Sequence, residues 1–419
     1  MLFTNPQARR RAYDESLREV MSIARGRQSR QWLSSWNRLA PQPTPAWSLP
    51  LLAKQLGIGQ LTVKDESKRS ALGSFKVLGA PVALLRLVLR HWPDRKWTPA
   101  DLLAGKHAAQ LRDFVVISAT DGNHGRALAA AAQSIGCRCV IVLHAQVSEE
   151  RETPIAALGA EIVRITGNYD ESVEEAARLA RANGWEVVSD TSYDGYEEVP
   201  RDVMQGYGIL ADELLEHTAA DAPCPFTHVV LQGGVGGLAA GVASHFWERY
   251  GAARPAFIVV EPEQADCLLQ SARSGRPARA TGSVDSVMAG LACGETSPLA
   301  WRFLQPAVDA FMTVSDAQAE HAMRTLATGE AGDTPVLSGE SGESGAAGLA
   351  ALQVLAADPE ARRAAGLGPE ARVLLISTEG ATAPGVYRAI TGRRAKKSWR
   401  RSSNGCCTRG GRRKRRSVR

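Results

Sequence analysis

The chain has 419 residues, 44% of them hydrophobic, and a formal net charge of +6. This length and apolar content exclude a small disulfide-stapled protein and a largely disordered one, and they allow two or three domains with a sizeable core. The charge is uneven, because residues 393–419 hold thirteen Lys or Arg and no acid, and subtracting those thirteen from +6 leaves −7 for the rest.

The basic segment 393–419 lacks the apolar residues that would offset the entropy of ordering, so we expect a disordered tail there. Clustered Arg and Lys side chains can bind nucleic acid by releasing counterions from phosphates. A solvated appendage is the simpler interpretation, and we favour it over a nucleic-acid partner.

Seven cysteines are scattered along the chain, with no C-x-x-C pair and no His spacing suited to zinc. We therefore predict no metal site and a reducing compartment. The N-terminal residues have no apolar core of signal-peptide length, and no apolar run reaches membrane-spanning length. A cytoplasmic protein without a membrane partner is the expectation.

The middle of the chain alternates short β-branched runs with helical patterns. The runs FVVISA, CVIVLHA, EIVRIT and WEVVSD predict strands at 114–119, 139–145, 161–166 and 185–190. Between them, GRALAAAAQSIG and SVEEAARLARANG predict amphipathic helices. This alternation predicts a parallel sheet with right-handed crossovers.

A second series begins near Pro200, where the helical pattern VMQGYGILADELLEH precedes the strand HVVLQ, the helix LAAGVASHFWERYG and the strands AFIVVEP and VLLIST. The predicted fold class is α/β, with two doubly wound domains of three layers, α/β/α. We expect the large domain to hold residues 1–82 and 203–392 and the small domain residues 83–202. Ligands of such sheets bind at the carboxyl ends of the strands.

Three strand ends carry Gly-rich or small polar turns, TDGNHGR, GGVGGLAAG and TEGATAP. The turn GGVGG opens a helix, so its N–H groups and the helix dipole favour an anion such as phosphate. A dinucleotide would also fit, because Gly234, Gly236 and Ala239 satisfy G-x-G-x-x-A and Glu261 ends the next strand. An NAD(P)-dependent oxidoreductase is therefore an open alternative.

A hydride-transfer enzyme gives no reason for a lysine in SFK or for the turn DGNHG, whereas a pyridoxal phosphate enzyme gives a reason for each. The lysine amine condenses with the cofactor aldehyde, the Gly-rich helix start binds the phosphate, and the Asn amide hydrogen-bonds the ring hydroxyl. A Ser or Thr at a strand end would face the ring nitrogen. The predicted cofactor-binding residues are Phe75, Lys76, Asn123, Gly233, Gly234, Val235, Gly236, Gly237, Ser377 and Thr378.

The order SFK, GNHG, GGVGG and a final strand ending in ST resembles the fold-type II pyridoxal phosphate enzymes, the family of tryptophan synthase β chain and threonine dehydratase. Further segments, including VKDES, VMQGYGILADE, VMAGLACGE, SGESGAAGL and STEG, look like those of the diaminopropionate ammonia-lyases in the same order. The resemblance covers roughly residues 10–390. It implies a homodimer that converts 2,3-diaminopropionate to pyruvate and ammonia. A serine or threonine dehydratase or a β-replacing synthase of the same fold is the alternative.

Two carboxylates favour a substrate with two amines. Asp121 stands where dehydratases of the wider family have Ser, and its charge suits a β-ammonium group, while Asp190 ends the strand WEVVSD at the same crevice. We predict Lys76, Asp121 and Asp190 as catalytic residues, and we expect desolvation to lower the pKa of the Lys76 amine once the substrate has released it from the cofactor. The resemblance extends to both substrate enantiomers, and it implies Lys76 as the base for the L form and Asp121 for the D form.

Three further assignments complete the predicted site. The doubled SGE in SGESGESGAAG leaves the family position between Glu340 and Glu343, and Glu343 is preferred as a cofactor-binding residue. His124 is assigned to packing rather than catalysis. Met204 and Tyr207, three residues apart on a predicted helix, are assigned to the core.

Overall fold

The computed structural model describes residues 1–120, 122–145, 147–167, 169–329 and 341–395. Of the features singled out above, Asp121, Glu340 and the tail from residue 396 onward lie outside the described residues. Within the described ranges, no helix is both long and apolar enough to cross a lipid bilayer.

Two sheets carry the fold. In chain order the strands are β1 (Leu2–Thr4), β2 (Ala46–Ser48), β3 (Gln60–Asp65), β4 (Val115–Ala119), β5 (Arg138–Leu143), β6 (Glu161–Arg164), β7 (Glu186–Val187), β8 (His228–Gln232), β9 (Ala256–Pro262), β10 (Ala310–Val314) and β11 (Arg372–Ser377). In the described part of the chain, seven strands form one sheet in the order β1-β10-β9-β8-β11-β3-β2, and four form the other in the order β6-β5-β4-β7. The described pairings are parallel, except that the edge strands β1 and β2 pair antiparallel with β10 and β3.

Helices follow most of these strands, as a parallel sheet requires. They are α1 (Glu15–Val20), α2 (Ile23–Leu33), α3 (Pro50–Gln55), α4 (Ala80–His91), α5 (Pro99–Leu103), α6 (Ala108–Leu111), α7 (Asn123–Ile135), α8 (Glu149–Ala156), α9 (Tyr169–Asn183), α10 (Glu198–Leu214), α11 (Gly237–Tyr250), α12 (Cys267–Ser274), α13 (Pro298–Ala307), α14 (Asp316–Thr328), α15 (Glu343–Ala357), α16 (Pro359–Ala364) and α17 (Pro384–Thr391).

The larger sheet is covered on both faces. Alternate residues of its central strands point into different apolar clusters: Val229 and Leu231 of β8 pack with α10 and α11, whereas Val230 packs with α14 and α15. Because side chains alternate along a strand, a continuous apolar run such as HVVLQ is the pattern of a strand buried on both sides. The three-layer α/β class predicted from the sequence is confirmed.

The predicted strands all form, with ends shifted by a few residues, and β7 is the shortest at Glu186–Val187. Four strands were not predicted: β1, β2, β3 and β10. The edge strands β1 and β2 have three residues each, too few to show a periodicity. The run AFMTV of β10 and the run QLTVKD of β3 are as regular as the predicted ones, and β3 carries polar residues that are buried in this fold.

Helix α10 positions the turn that carries Lys76. It packs against α2, α4 and α11, and also against the short 3-10 turn Phe75–Leu78. Gly206 of α10 makes that contact possible, since a Cβ on it would clash with the Leu78 carbonyl oxygen. The close approach fixes the turn, and with it Lys76, against the longest helix of the described chain.

Candidate active site

A cavity lies where the carboxyl ends of both sheets meet, as expected for open parallel sheets. Its wall includes Lys76 from the turn after β3, Asn123 from the start of α7, and Asp190 from the segment after β7. The glycine-rich turn after β8 and Thr378 after β11 complete it. The structure therefore brings together residues that are up to 302 positions apart in the sequence, counting from Lys76 to Thr378.

Lys76 is held by backbone contacts on both sides. Ser74 caps the 3-10 turn, its hydroxyl accepting a hydrogen bond from Lys76 N at 3.2 Å. Phe75 N donates to the carbonyl oxygen of Thr378 at 3.0 Å, which ties the turn to the end of β11. The Lys76 side chain thus projects into the cavity from a backbone that has little freedom.

The Lys76 ammonium forms an ion pair with the Asp190 carboxylate, and both side chains are mostly buried. Its Nζ also lies 5.3 Å and 6.0 Å from the ring centroids of Phe75 and Tyr207, where aromatic faces favour a cation. Burial alone would lower the pKa of Lys76, but the charge and hydrogen bond of Asp190, together with Tyr207 and Cys293, outweigh burial and raise the pKa well above its usual value. The lowered pKa expected from desolvation concerns the amine that the substrate releases from the cofactor, and it stays a prediction for that state.

The amide of Asn123 donates from Nδ2 to a carboxylate oxygen of Glu379. Glu379 also accepts hydrogen bonds from Thr382 Oγ1 at 3.2 Å and from Ser344 N at 3.3 Å. Glu379 lines the cavity, and the sequence interpretation gave it no role although it lies in STEG. The sequence feature that could have identified Glu379 is its position two residues after the end of the central parallel strand β11.

The turn Gly233–Gly237 supplies backbone N–H groups to the cavity. Gly236 has φ +99° and is the N-cap of α11, a conformation that favours glycine. The first intrahelical hydrogen bond runs from Ala240 N to Gly236 O at 2.9 Å, so the N–H groups of residues 237–239 lie before it and remain available to an anion. Gly233, Gly234, Val235 and Gly237 line the cavity, whereas Gly236 packs behind it against Leu304 and Ala300.

The dinucleotide interpretation needs a carboxylate free to bind a ribose, and Glu261 is not free. Its two carboxylate oxygens accept hydrogen bonds from Leu268 N and Leu269 N, each at 2.8 Å, at the start of α12. Glu261 is fully buried, and burial raises its pKa to about 8. It packs directly under the glycine turn, because a Cβ on Gly233 would lie 2.6 Å from Glu261 Cγ. Glu261 is a structural support of the turn.

Three predicted residues lie around the cavity with different access to it. Thr378 lines the cavity. The Ser377 hydroxyl is buried outside the cavity wall and donates to Ser341 Oγ at 2.9 Å. Glu343 begins α15 and lines a neighbouring cleft with Arg151, and among described residues its Oε1 has no hydrogen-bond partner. Burial and the negative charge of Glu379 raise the pKa of Glu343 to about 7.

The remaining assignments concern the turn before α7 and helix α10. Asp121 lies outside the described residues, and its neighbours Thr120 and Gly122 line the cavity. His124 Nε2 lies 2.9 Å from Val188 O, and burial lowers the pKa of His124, which agrees with a packing role. Tyr207 belongs to the core, as predicted, but it also lines the cavity beside Lys76.

This set of donors fits pyridoxal phosphate. A lysine amine suits its aldehyde, N–H groups at a helix start suit its phosphate, and a Cβ-free turn at Gly233 and Gly234 lets the backbone approach closely. The chain also matches the model of a protein family described as pyridoxal-phosphate dependent enzyme, over residues 38–379. The chain belongs to this family.

Similarity extends to particular members. The chain is 37% identical over 351 residues to diaminopropionate ammonia-lyase of Escherichia coli strain K12, covering 83% of this chain and 87% of that protein. It is 38% identical over 359 residues to diaminopropionate ammonia-lyase of Salmonella typhimurium, with the same coverage. The crystal structure of the selenomethionine holo form of the Escherichia coli enzyme superposes with a TM-score of 0.83 and 34% identity, covering 93% of this chain and 96% of that one.

A second structure of the Escherichia coli enzyme, in complex with an aminoacrylate-PLP azomethine reaction intermediate, gives a TM-score of 0.81 with 34% identity and covers 93% of this chain and 96% of that one. Threonine deaminase isoform 2 from Solanum lycopersicum gives 0.68 with 19% identity, covering 94% of this chain and 92% of that one, and this likeness shows the fold alone.

Proposed function

We propose that the protein catalyses the pyridoxal phosphate-dependent elimination of 2,3-diaminopropionate to pyruvate and ammonia. The observation that carries this proposal is the meeting, in one cavity, of the Lys76 amine, the glycine turn Gly233–Gly237 and two described carboxylates, Asp190 and Glu379. A diamino acid offers two amines to such a cavity, one for the cofactor and one as the leaving group. The similarity to diaminopropionate ammonia-lyases over most of both chains supports the same substrate.

In this proposal the protein holds the cofactor by three contacts. The N–H groups of the glycine turn would bind the phosphate, and the Asn123 amide would hydrogen-bond the ring hydroxyl. Thr378, supported by Ser377, would hold the ring nitrogen, and Phe75 would pack against the ring. Glu343 stays a proposed cofactor-side residue, although it lines the neighbouring cleft.

Pyridoxal phosphate, when bound, supplies an aldehyde that condenses with amines and a ring that accepts the electron pair left by the α proton. Lys76 takes that proton from the L isomer, and Asp190 beside it stabilises the ammonium so formed. We assign the same step for the D isomer to Asp121, which lies outside the described residues. The β-amine leaves with the electron pair, and addition of one water gives one pyruvate and two ammonia molecules in balance.

The stoichiometry of the products tests this proposal. Purified protein loaded with pyridoxal phosphate is given DL-2,3-diaminopropionate, L-serine or L-threonine, and pyruvate and ammonia are both assayed. We expect two ammonia per pyruvate from diaminopropionate, whereas serine dehydration would give one. Lys76→Ala should lose the visible absorbance of the lysine-linked cofactor and the activity on the L isomer, while the glycine turn and Asn123 still bind the cofactor. Faster turnover of serine or threonine than of diaminopropionate would favour a dehydratase instead.

We also propose a homodimer in the cytoplasm, with the small domain at 83–202 and the large domain at 1–82 and 203–392. The resemblance to the family supports the dimer, and sedimentation equilibrium would test it. The cysteines support a reducing compartment, since the five in the described residues form no disulfide. The four-stranded sheet, between Val115 and Val187, falls inside the proposed small domain.

A further inference from the structure

Arg126 is a cation on the cavity wall that lacks an ion pair with any described carboxylate. It lies three residues after Asn123 on α7, and it lines both the cavity and the adjoining cleft. Its Nε is buried and has no hydrogen-bond partner among the described residues. Burial lowers the pKa of Arg126, and the negative charge of Glu379 opposes this only in part. A guanidinium with a buried Nε and no partner among the described residues carries a desolvation cost, so an anion in the cavity is stabilised here.

Glu379 is a nearly buried carboxylate on the same cavity wall. It is only 5% exposed, and its hydrogen bonds come from three neutral donors, Asn123 Nδ2, Thr382 Oγ1 and Ser344 N. Within the described ranges it forms no ion pair, not even with Arg126. Its negative charge therefore remains uncompensated by direct contact, and a cation in the cavity would be stabilised beside it.

Among the other described charged groups on this wall, Lys76 and Asp190 form an ion pair with each other, and the charge of Arg151 acts on Glu343. Arg126 and Glu379 remain as charges of opposite sign that form no ion pair with a described residue. From this arrangement we infer that Arg126 binds the carboxylate of the substrate and that Glu379 binds its β-ammonium group. This inference rests on the proposed function, because 2,3-diaminopropionate carries both of those charges in addition to the amine that the cofactor engages.

The contrast with serine follows directly. Serine has the same carboxylate but a neutral hydroxyl in place of the β-ammonium group, so it gains nothing from the charge of Glu379. Glu379 then determines which amino acid is preferred, whereas Arg126 contributes equally to both. A role for Glu379 in merely orienting the Asn123 amide predicts no such difference between the two ligands.

The test uses Glu379→Gln, which keeps an oxygen acceptor for Asn123 and removes the charge. Binding of L-2,3-diaminopropionate and of L-serine is measured by calorimetry on protein loaded with pyridoxal phosphate, in a Lys76→Ala background that prevents turnover of the L isomers. We expect Glu379→Gln to weaken the diaminopropionate complex by about 10- to 100-fold, as for the loss of a charged hydrogen bond. The serine complex and the affinity for the cofactor should change by less than about twofold.

Arg126→Gln should weaken both ligands by similar factors of about 10 or more. Matched controls come from α8, where Glu150 lines the adjoining cleft and Arg151 lines the cavity. Glu150→Gln and Arg151→Gln remove one charge each near the site, and neither should alter the ratio of the two affinities.

Two results would overturn the inference. Equal weakening of both ligands by Glu379→Gln would make Glu379 a support for Asn123, and a larger loss in Arg151→Gln than in Arg126→Gln would transfer carboxylate binding to Arg151. Turnover of diaminopropionate by the protein with Lys76 intact is assayed in parallel. Absence of that turnover contradicts the proposed function, whereas an unchanged affinity ratio in Glu379→Gln with normal turnover contradicts this inference alone.

Discussion

At Lys76, the neighbouring carboxylate of Asp190 favours the charged form of the amine. Condensation with an aldehyde needs the neutral amine, and the ion pair with Asp190 stabilises the protonated form instead. Asp190→Asn removes that charge while burial remains, so the pKa of Lys76 should fall. The rate at which the visible absorbance appears after cofactor-free protein is mixed with pyridoxal phosphate should then have its pH midpoint lowered by about 1 to 3 pH units. An unchanged midpoint would show that another group controls the amine.

Glu343 should make stability depend on pH. Its pKa is raised to about 7 by burial and by Glu379, above the usual value of 4.5. A carboxyl with a raised pKa in the folded state keeps its proton while the unfolded chain loses it, so stability is present below pH 4.5 and is lost as pH rises toward about 7. The slope is at most about 1.4 kcal/mol per pH unit. Glu343→Gln should flatten urea-unfolding free energies between pH 5 and 7, and an equally steep loss in the variant would exclude Glu343 as the cause.

At the scale of elements, the glycine turn after β8 is shaped by what lies under it. A Cβ at Gly233 would meet Glu261 Cγ at 2.6 Å, and Glu261 cannot move without releasing the two N–H groups of α12. Gly233→Ala should therefore displace the turn and weaken pyridoxal phosphate binding by about tenfold or more. Gly348→Ala is the control, because its Cβ would find neighbours no closer than 3.7 Å. Equal cofactor affinities in the two variants would contradict this account.

A buried ion cluster joins β3 to α10. Arg69 donates to Glu66 and Glu213, and Lys64 Nζ donates to Glu213 at 2.6 Å, with all four side chains nearly inaccessible. Arg69→Met leaves the buried carboxylate of Glu66 without its cation and Glu213 with Lys64 alone, which should cost about 3–5 kcal/mol of the unfolding free energy in urea.

The control is Arg178→Met, which removes an exposed pair with Glu175 and should leave the urea midpoint unchanged. Similar midpoints for Arg69→Met and Arg178→Met would mean that the cluster between β3 and α10 adds nothing to stability.

The elements and site residues that could be predicted from the sequence are those whose residue types follow from burial or from cofactor chemistry. Runs such as FVVISA and HVVLQ predicted β4 and β8, because strands buried on both faces must be apolar throughout. The Lys76, Asn123 and glycine-turn positions were predicted because a cofactor needs those groups at strand ends. Glu379 was missed, and so was the ion pair that raises the pKa of Lys76, since both depend on which side chains meet across more than a hundred residues of sequence.

For the whole molecule, the segment from residue 396 carries eleven Lys or Arg, whereas the residues before 393 carry a net negative charge. The cavity residues all precede residue 383, and Ala395 packs at the edge of the apolar cluster that contains Tyr387 of α17. Removing residues 396–419 should therefore leave kcat/KM for diaminopropionate within about twofold, because residues up to 395 already form the described core and cavity.

The same truncation tests whether residues 396–419 bind nucleic acid. Any binding of the full chain to a DNA duplex should weaken steeply with salt and disappear in the truncated chain, since it would rest on release of counterions by Lys and Arg. The acidic remainder should repel the duplex. Retention of DNA binding without residues 396–419 would place a nucleic-acid surface on the folded domains, and loss of activity on truncation would give the segment a part in the enzyme that its composition does not predict.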